Sequence, residues 1–103
     1  MIENGQLEVV SGGWVMSDEA VSHYTSMLDQ MIEGHLWLHS NLGITPNVSW
    51  SVDPFGHSPT MTYMLNGAQI HHMVIQRTHF AIKRHFAKLK NLEFFWRQAW
   101  GMQ

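Results

Sequence analysis

A single proline restricts the centre of this 103-residue chain more than any other residue. Pro54 ends the alternating stretch Ser49–Asp53, because proline cannot donate a hydrogen bond to a sheet ladder. A strand there must stop at Asp53 and leaves that carboxylate at its carboxyl end. Ser58 and Pro59 then have the pattern of a helix N-cap followed by proline at the first helical position. In parallel sheets, catalytic and ligand-binding side chains gather at this edge.

The turn after the strand allows two interpretations of Asp53. Side chains alternate along a strand, so one face is expected to carry Trp50 and Val52, and the other the flanking serines and Asp53. We expect this polar face to lie away from the hydrophobic core. Residues 53–56 also have the composition of a type I turn, in which Asp53 would only hydrogen-bond its own backbone. The residues alone leave both roles open.

Composition excludes several classes of protein. The chain is at most one small domain, and an apolar content of 45% with five Trp and five Phe is sufficient for a hydrophobic core. It has no cysteine, which excludes disulfides, a thiol nucleophile and a cysteine-based zinc site. The net charge of −2 argues against a general nucleic-acid-binding protein. No apolar run approaches the ~18–20 residues that span a bilayer.

The order of apolar patterns predicts the fold class. Alternating and 3.6-residue periods succeed one another along the chain, with glycine or proline between them. The expected strands cover residues 6–11, 49–53, 72–78 and 92–98, and the expected helices cover residues 20–39, 59–66 and 80–90. This β-α-β-α-β-α-β order predicts an α/β fold with a parallel sheet and right-handed crossovers.

Charged and polar side chains follow the ends of the predicted strands. Asp53 ends the second strand and Arg77 the third, so we expect an ion pair in which the guanidinium keeps the carboxylate charged. A purely structural ion pair is the alternative. The other candidates at strand ends are Trp14, Asp18, Arg97 and Gln98.

Two clusters of cationic and imidazole side chains also need an interpretation. All six Lys and Arg lie between Arg77 and Arg97, which indicates either a basic contact surface or, as we favour, one solvated helix. His35 and His39 have the spacing of zinc ligands on a helix. Since only Leu, Trp and Leu lie between them, no catalytic glutamate accompanies the pair, and we do not favour a metal site there.

Four segments together resemble glycoside hydrolase family 38, and within it the Golgi α-mannosidase II branch. They are GGWVMSDEA at residues 12–20, VDPFGHSPTM at 52–61, IQRTH at 75–79 and LEFFWRQ at 92–98. The resemblance extends in unbroken order from about Gly12 to Trp100. Its motifs are long and specific.

This resemblance implies an activity and a role for three residues. Members of the family are zinc-dependent retaining exo-α-mannosidases that trim mannose from N-glycans in the Golgi lumen, where the parent protein is membrane-anchored. Asp53 corresponds to the catalytic nucleophile, which also ligates the zinc ion. Phe55 corresponds to the aromatic residue that binds the substrate sugar, and Arg77 to the arginine that supports the nucleophile.

The resemblance also implies that residues 1–103 are one part of an N-terminal catalytic α/β domain with a barrel-like architecture. The remaining zinc ligands and the acid/base carboxylate are expected outside this chain, in the remainder of the catalytic domain. The chain alone is therefore expected to be inactive. A non-catalytic sugar- or partner-binding module that retains the fold is the alternative.

Overall fold

The computed structural model describes residues 1–99 and has a small α/β fold. Its elements, in chain order, are α1 (Tyr24–Leu42), β1 (Val48–Ser51), α2 (Pro59–Gly67), β2 (His72–Ile75) and α3 (Phe80–Lys88). The two strands are parallel neighbours, with Val48 opposite His72 and Ser51 opposite Ile75. The α/β class and the central β-α-β unit are therefore confirmed, whereas the barrel-like context stays a prediction.

The predicted first strand, over residues 6–11, does not form. Only Ser11 of this segment bonds β1: its N–H donates to the Val48 carbonyl at 2.7 Å, and its hydroxyl accepts from the Trp50 N–H at 2.7 Å. Ser11 and Gly12 have φ values of 58° and 74°, a left-handed backbone that no extended strand contains. The chain consequently turns away from the sheet at Ser11, and Trp14 and Asp18 do not follow a strand.

The predicted fourth strand, over residues 92–98, is also wrong. The described part of this segment is irregular apart from an isolated bridge at Gln98, and the rings of Phe94 and Phe95 are exposed. Aromatic residues favour strands because they pack on a half-buried sheet surface, and these two rings have no such surface. The sheet thus has two of the four expected strands, and Arg97 does not lie at a regular strand end.

The two faces of β1 are the reverse of the expectation. Ser49 is 1% exposed and Ser51 is buried, whereas Trp50 is 45% exposed. The Ser49 and Ser11 hydroxyls lie 3.5 Å apart, so the buried hydroxyl of Ser49 has a polar neighbour in the interior. The polar face of β1 therefore packs inward. The nearly continuous apolar run of β2 is typical of a strand buried on both faces, but its residues alternate between exposed and half-buried.

The helix ends combine confirmed and wrong predictions. In α2 the Ser58 hydroxyl accepts from the Thr60 N–H, and Pro59 occupies the first turn, as predicted. Helix α1 begins at Tyr24 rather than at residue 20, and the His23 ring caps it by accepting from the Thr25 N–H. It ends at Gly43, which has the left-handed conformation typical of a helix C-cap.

Helix α3 lies entirely in contact with solvent. None of its residues is buried, although Ile82, Phe86 and Leu89 have the spacing of the inner face of a helix. Phe86 is half-buried and its ring contacts the ring of Phe94, with centroids 5.5 Å apart, whereas Ile82 and Leu89 are exposed. This exposure agrees with a solvated basic helix, but it removes the core role that the pattern predicted.

The hydrophobic core lies between α1 and α2. Met31, Leu65 and Ile70 are its buried centre, and the half-buried residues around it are Met61, Met64, Ala68 and Met73. Met27 and Leu38 extend the buried stripe of α1. None of the helices within residues 1–99 combines the length and apolar character required to cross a bilayer.

Gly34 allows α1 to pack directly on the backbone of residues 12–14. A Cβ atom at this position would collide with the Gly12 carbonyl oxygen, the Gly13 carbonyl carbon and the Trp14 nitrogen. All three are main-chain atoms, which cannot move aside as a flexible side chain can. The contact fixes the N-terminal segment against the middle of α1, and the Trp14 N–H donates to the Gln30 carbonyl one turn earlier.

This contact predicts that Gly34→Ala destabilises the protein by roughly 1–3 kcal/mol, because the added methyl group overpacks a rigid site. Gly67→Ala is the matched control, since Gly67 is also helical but has no atom within 4 Å of its would-be Cβ. We expect the control to be neutral or slightly stabilising. Thermal unfolding of both variants measures the difference, and equal melting temperatures would contradict the proposed packing.

Candidate active site

Asp53 and Arg77 form an ion pair beyond the ends of the two strands. The Arg77 Nη2 atom donates to Oδ1 of Asp53 at 2.6 Å. Asp53 and Arg77 each lie two positions after the last residue of their strand. They are 24 residues apart in the sequence, as are the paired strand residues Ser51 and Ile75. The parallel register therefore places the carboxylate opposite the guanidinium at the carboxyl edge, as the strand-end charges predicted.

Phe55 completes the cluster. The central guanidinium carbon of Arg77 lies 4.3 Å from the centre of the Phe55 ring, which is the geometry of a cation–π contact. The segment between β1 and α2 brings this ring next to the strand end, and Pro54, within that segment, is buried. Arg77 thus contacts both Asp53 and Phe55, the other two residues that the sequence analysis assigned to the site.

The cluster contributes little to folding. The side chain of Asp53 is 72% exposed, and Phe55 is 74% exposed. An ion pair in contact with water stabilises a protein by only ~0–1 kcal/mol, and an exposed ring gains little from the hydrophobic effect. A structural ion pair is therefore a weak explanation for the arrangement. A carboxylate, a cation and an apolar ring that share one open edge can instead contact a ligand.

A buried acid–histidine pair lies behind this edge, and the sequence analysis missed it. Oε2 of Glu19 accepts from the Ser58 N–H at 3.3 Å and lies 3.2 Å from Nδ1 of His57. The side chain of Glu19 is 2% exposed and that of His57 is 7% exposed. After Ser17 and next to Asp18, the acid has the sequence pattern of a helix start, but it lies in the loop before α1. Its place in the family-like stretch 12–20 was the available signal.

Burial raises the pKa of Glu19 above its ordinary value. The Ser58 N–H and the imidazole of His57 oppose this shift, while the charge of Asp18 adds to it. Oε1 of Glu19 and Nε2 of His57 have no hydrogen-bond partner within residues 1–99. The Nδ1–Oε2 contact also lacks the alignment of a good hydrogen bond. The charged form of Glu19 is therefore held at a cost in free energy.

Potential metal ligands are dispersed in the described part of the chain. No three His, Asp or Glu side chains among residues 1–99 lie close enough to hold an ion. His35 bonds the Ser11 carbonyl through Nε2 at 2.8 Å, which gives this imidazole a structural role. Asp53 can supply one carboxylate ligand. One ligand does not make a zinc site, because zinc in proteins takes three or four in fixed geometry.

A separate cavity of about 480 Å³ lies between the N-terminal segment, α1, β1 and α2. Asp53, Phe55 and Arg77 are not among its lining residues, which include Trp14, Gln30, Trp37, Ser49, Ser51 and Leu65. Its walls are mainly apolar and carry no charged side chain. We regard the charged strand edge as the better candidate site, because chemistry on a polar substrate needs a group that can attack or transfer a proton.

The buried carboxylate predicts a dependence of stability on pH. Since the folded-state pKa of Glu19 is raised, its contribution to stability is complete below the ordinary pKa of 4.5 and is lost as the pH rises through the raised value. Glutamine does not ionise, so Glu19→Gln removes this loss of stability at higher pH. We therefore expect the variant to melt like the parent near pH ~4 and at a higher temperature near pH ~7.

The control for this prediction is Glu93→Gln, which neutralises an exposed glutamate. Melting temperatures of the parent and both variants over that pH range provide the test. The titratable groups that face position 19 are His57 and Asp18, and both are present in all three proteins. A Glu19→Gln variant that is less stable than the parent at neutral pH would contradict the sign of the shift.

Comparisons with known proteins agree with the motifs at this edge. The family model described as "Glycosyl hydrolases family 38 N-terminal domain" matches residues 1–103. Human alpha-mannosidase 2 is 62% identical over 102 residues, which cover 99% of this chain and 9% of the human protein. Alpha-mannosidase 2 of Arabidopsis thaliana is 50% identical over 100 residues, or 97% of this chain and 8% of that protein.

A more distant relative has the same extent of match. Alpha-mannosidase F of Dictyostelium discoideum is 38% identical over 96 residues, which are 93% of this chain and 10% of that protein. The chain thus spans about a tenth of the length of the curated relatives that it matches. With a family model that covers all its residues and relatives well above 30% identity, the chain belongs to glycosyl hydrolase family 38.

Proposed function

We propose that this chain is the nucleophile-bearing part of a retaining α-mannosidase that removes mannose from N-glycans. The observation that carries the proposal is the contact of Asp53, Arg77 and Phe55 at one exposed strand edge. Family membership supports it, because the relatives of this chain in animals and plants are named alpha-mannosidases. The geometry brings together the three residues to which the resemblance assigns these roles.

Asp53 is the proposed nucleophile. One carboxylate oxygen attacks the anomeric carbon of the terminal mannose, a bond to that carbon forms, and the glycosidic C–O bond breaks. The departing oxygen takes a proton from a second carboxylic acid, which we place elsewhere in the protein that carries this chain. Water then cleaves the glycosyl ester and restores the Asp53 carboxylate, so the configuration at the anomeric carbon is retained.

Arg77 and Phe55 prepare this attack. The Arg77 guanidinium bonds one oxygen of Asp53 and thereby fixes the direction of the carboxylate. It also lies against the Phe55 ring, which limits the rotation of its own side chain. The exposed ring of Phe55 offers an apolar surface on which the C–H face of a sugar can pack. The nucleophile and the sugar contact are thus held by one cation.

Zinc is the proposed cofactor, with Asp53 as one of its ligands. The residues described here do not form a complete zinc site, so the further ligands belong to the remainder of the catalytic domain. When bound, the ion would orient sugar hydroxyls and offset negative charge near the nucleophile. We propose the Golgi lumen as the compartment and a membrane anchor elsewhere in the parent protein, since N-glycans are trimmed in that lumen.

A chimera provides the test of this function. Residues 1–103 replace the matching segment of human alpha-mannosidase 2, to which they are 62% identical over 102 residues. Asp53→Asn in this chimera should reduce mannosidase turnover by at least ~10³-fold, because the amide cannot form the glycosyl ester. The control is Asp29→Asn, which neutralises an exposed acid on α1 and should leave turnover unchanged.

The alternative is a non-catalytic module that binds a sugar or a protein partner. A folded chimera without mannosidase activity would favour this alternative, since the rest of the human domain supplies all other groups. Activity of Asp53→Asn within tenfold of the parent chimera would instead reject Asp53 as the nucleophile. Mannose release from an N-glycan substrate, measured with equal amounts of folded protein, distinguishes these results.

The same assignment predicts weak zinc binding by residues 1–103 alone. A single carboxylate cannot fix the ion, so equilibrium dialysis should find no tight one-to-one complex, whereas the chimera should retain zinc. Asp53→Asn should then lower the zinc content of the chimera. One tightly bound zinc ion per isolated chain would contradict the proposal, and loss of that ion in His35→Ala would locate it on α1.

A further inference from the structure

We propose that Glu19 is a positioning residue for the proposed active site: it holds the turn that presents Asp53 and Phe55 in its reactive orientation. This inference rests on the proposed function, and it assigns a role to an acid that the mechanism does not otherwise use. It starts from the position of a buried carboxylate directly behind an exposed catalytic edge.

The contacts of Glu19 join two distant parts of the chain. Its Oε2 atom receives the N–H of Ser58, 39 residues later, and lies 3.2 Å from Nδ1 of His57. Both partners come just after Phe55, and Ser58 is also the N-cap of α2. Glu19 therefore fixes the point at which the turn ends and the helix begins.

The opposite end of the same turn is fixed by β1. Ser51, the last residue of β1, is paired in register with Ile75, and the buried Pro54 follows three positions later. Between this strand and the Glu19 contact there are only six residues, 52–57. Because both ends of such a short connection are held, the directions of Asp53 and Phe55 depend on the separation of its ends.

The nature of the contact favours positioning over stability. A buried carboxylate with a raised pKa and one unpartnered oxygen destabilises the fold at neutral pH relative to a neutral group. An apolar side chain of similar size would pack there without that cost. An apolar side chain, however, could not accept the Ser58 N–H at the N-terminus of α2, as the Glu19 oxygen does. The helix dipole also favours negative charge at that position.

The ring of Trp96 covers the pair from the other side. It meets the His57 ring edge-to-face, with centroids 6.3 Å apart. The imidazole is thus enclosed by Glu19 and an aromatic ring. The ring contact limits the rotation of His57. Because the side chain of Glu19 is nearly inaccessible to solvent, its bond with the Ser58 N–H is stronger than an exposed one.

The experiment compares three variants in the chimera with human alpha-mannosidase 2. Glu19→Ala removes the acceptor, and Glu19→Gln keeps an oxygen that can receive the Ser58 N–H. Leu38→Ala is the matched control, because it removes a buried side chain of α1 that takes no part in the contacts of Glu19 with His57 and Ser58. Each protein is measured for kcat, KM and melting temperature, and by hydrogen–deuterium exchange of the peptide that contains residues 53–58.

We expect Glu19→Ala to lower kcat by at least ~10-fold with a smaller change in KM. The substitution should misalign the nucleophile, which affects the chemical step, and should weaken substrate binding less. Glu19→Gln should keep kcat within ~3-fold of the parent. Amides 53–58 should exchange faster in Glu19→Ala than in Leu38→Ala. The control should lose melting temperature without losing kcat at temperatures well below the transition.

Two results would overturn the inference. One is Glu19→Ala with kcat within ~3-fold of the parent, and the other is an equal loss of kcat in Leu38→Ala, which would reduce the effect to general destabilisation. If the parent chimera is inactive, the proposed function fails, but hydrogen–deuterium exchange still tests whether Glu19 holds the turn. Unchanged exchange over residues 53–58 in Glu19→Ala would then reject the positioning role by itself.

Discussion

The register of one parallel strand pair determines where the chemistry of this chain lies. Ser51 faces Ile75, and the same separation of 24 residues continues to Asp53 and Arg77, two positions further along both chains. Side chains alternate along strands, so a slip of one residue would turn either partner to the opposite face. Sheet pairing, rather than burial, therefore brings the carboxylate to the guanidinium, and this explains how two exposed side chains can have a defined geometry.

Local rules made the centre of this structure predictable. β1 ends at Ser51, close to the end that Pro54 predicted, and Pro59 begins α2, because proline restricts its own backbone whatever the surroundings. The ends of neighbouring parallel strands then meet at one edge, which brought Asp53 and Arg77 together on the sequence pattern alone. Phe55 was assigned only through a family resemblance, and its contact with Arg77 depends on the path of the turn.

The features that the sequence did not reveal depend on distant neighbours. The segments 6–11 and 92–98 have strand-like compositions, but a strand also requires a paired edge along its length. Similarly, Glu19 looks like one of two acids at a helix start, and only the fold brings it to His57 and Ser58, nearly forty positions later. The buried serine face of β1 is a third case, because alternation identifies two faces without stating which of them lies inside.

Ser11 gives β1 a protected outer edge. Its backbone N–H and its hydroxyl together engage the Val48 carbonyl and both polar main-chain groups of Trp50. Free edges of this kind invite strands of other molecules, and many proteins block them with charged residues, prolines or bulges. Here a single serine with a left-handed backbone occupies the bonding positions. β1, which precedes Asp53, is thereby closed to intermolecular β-sheet growth on that side.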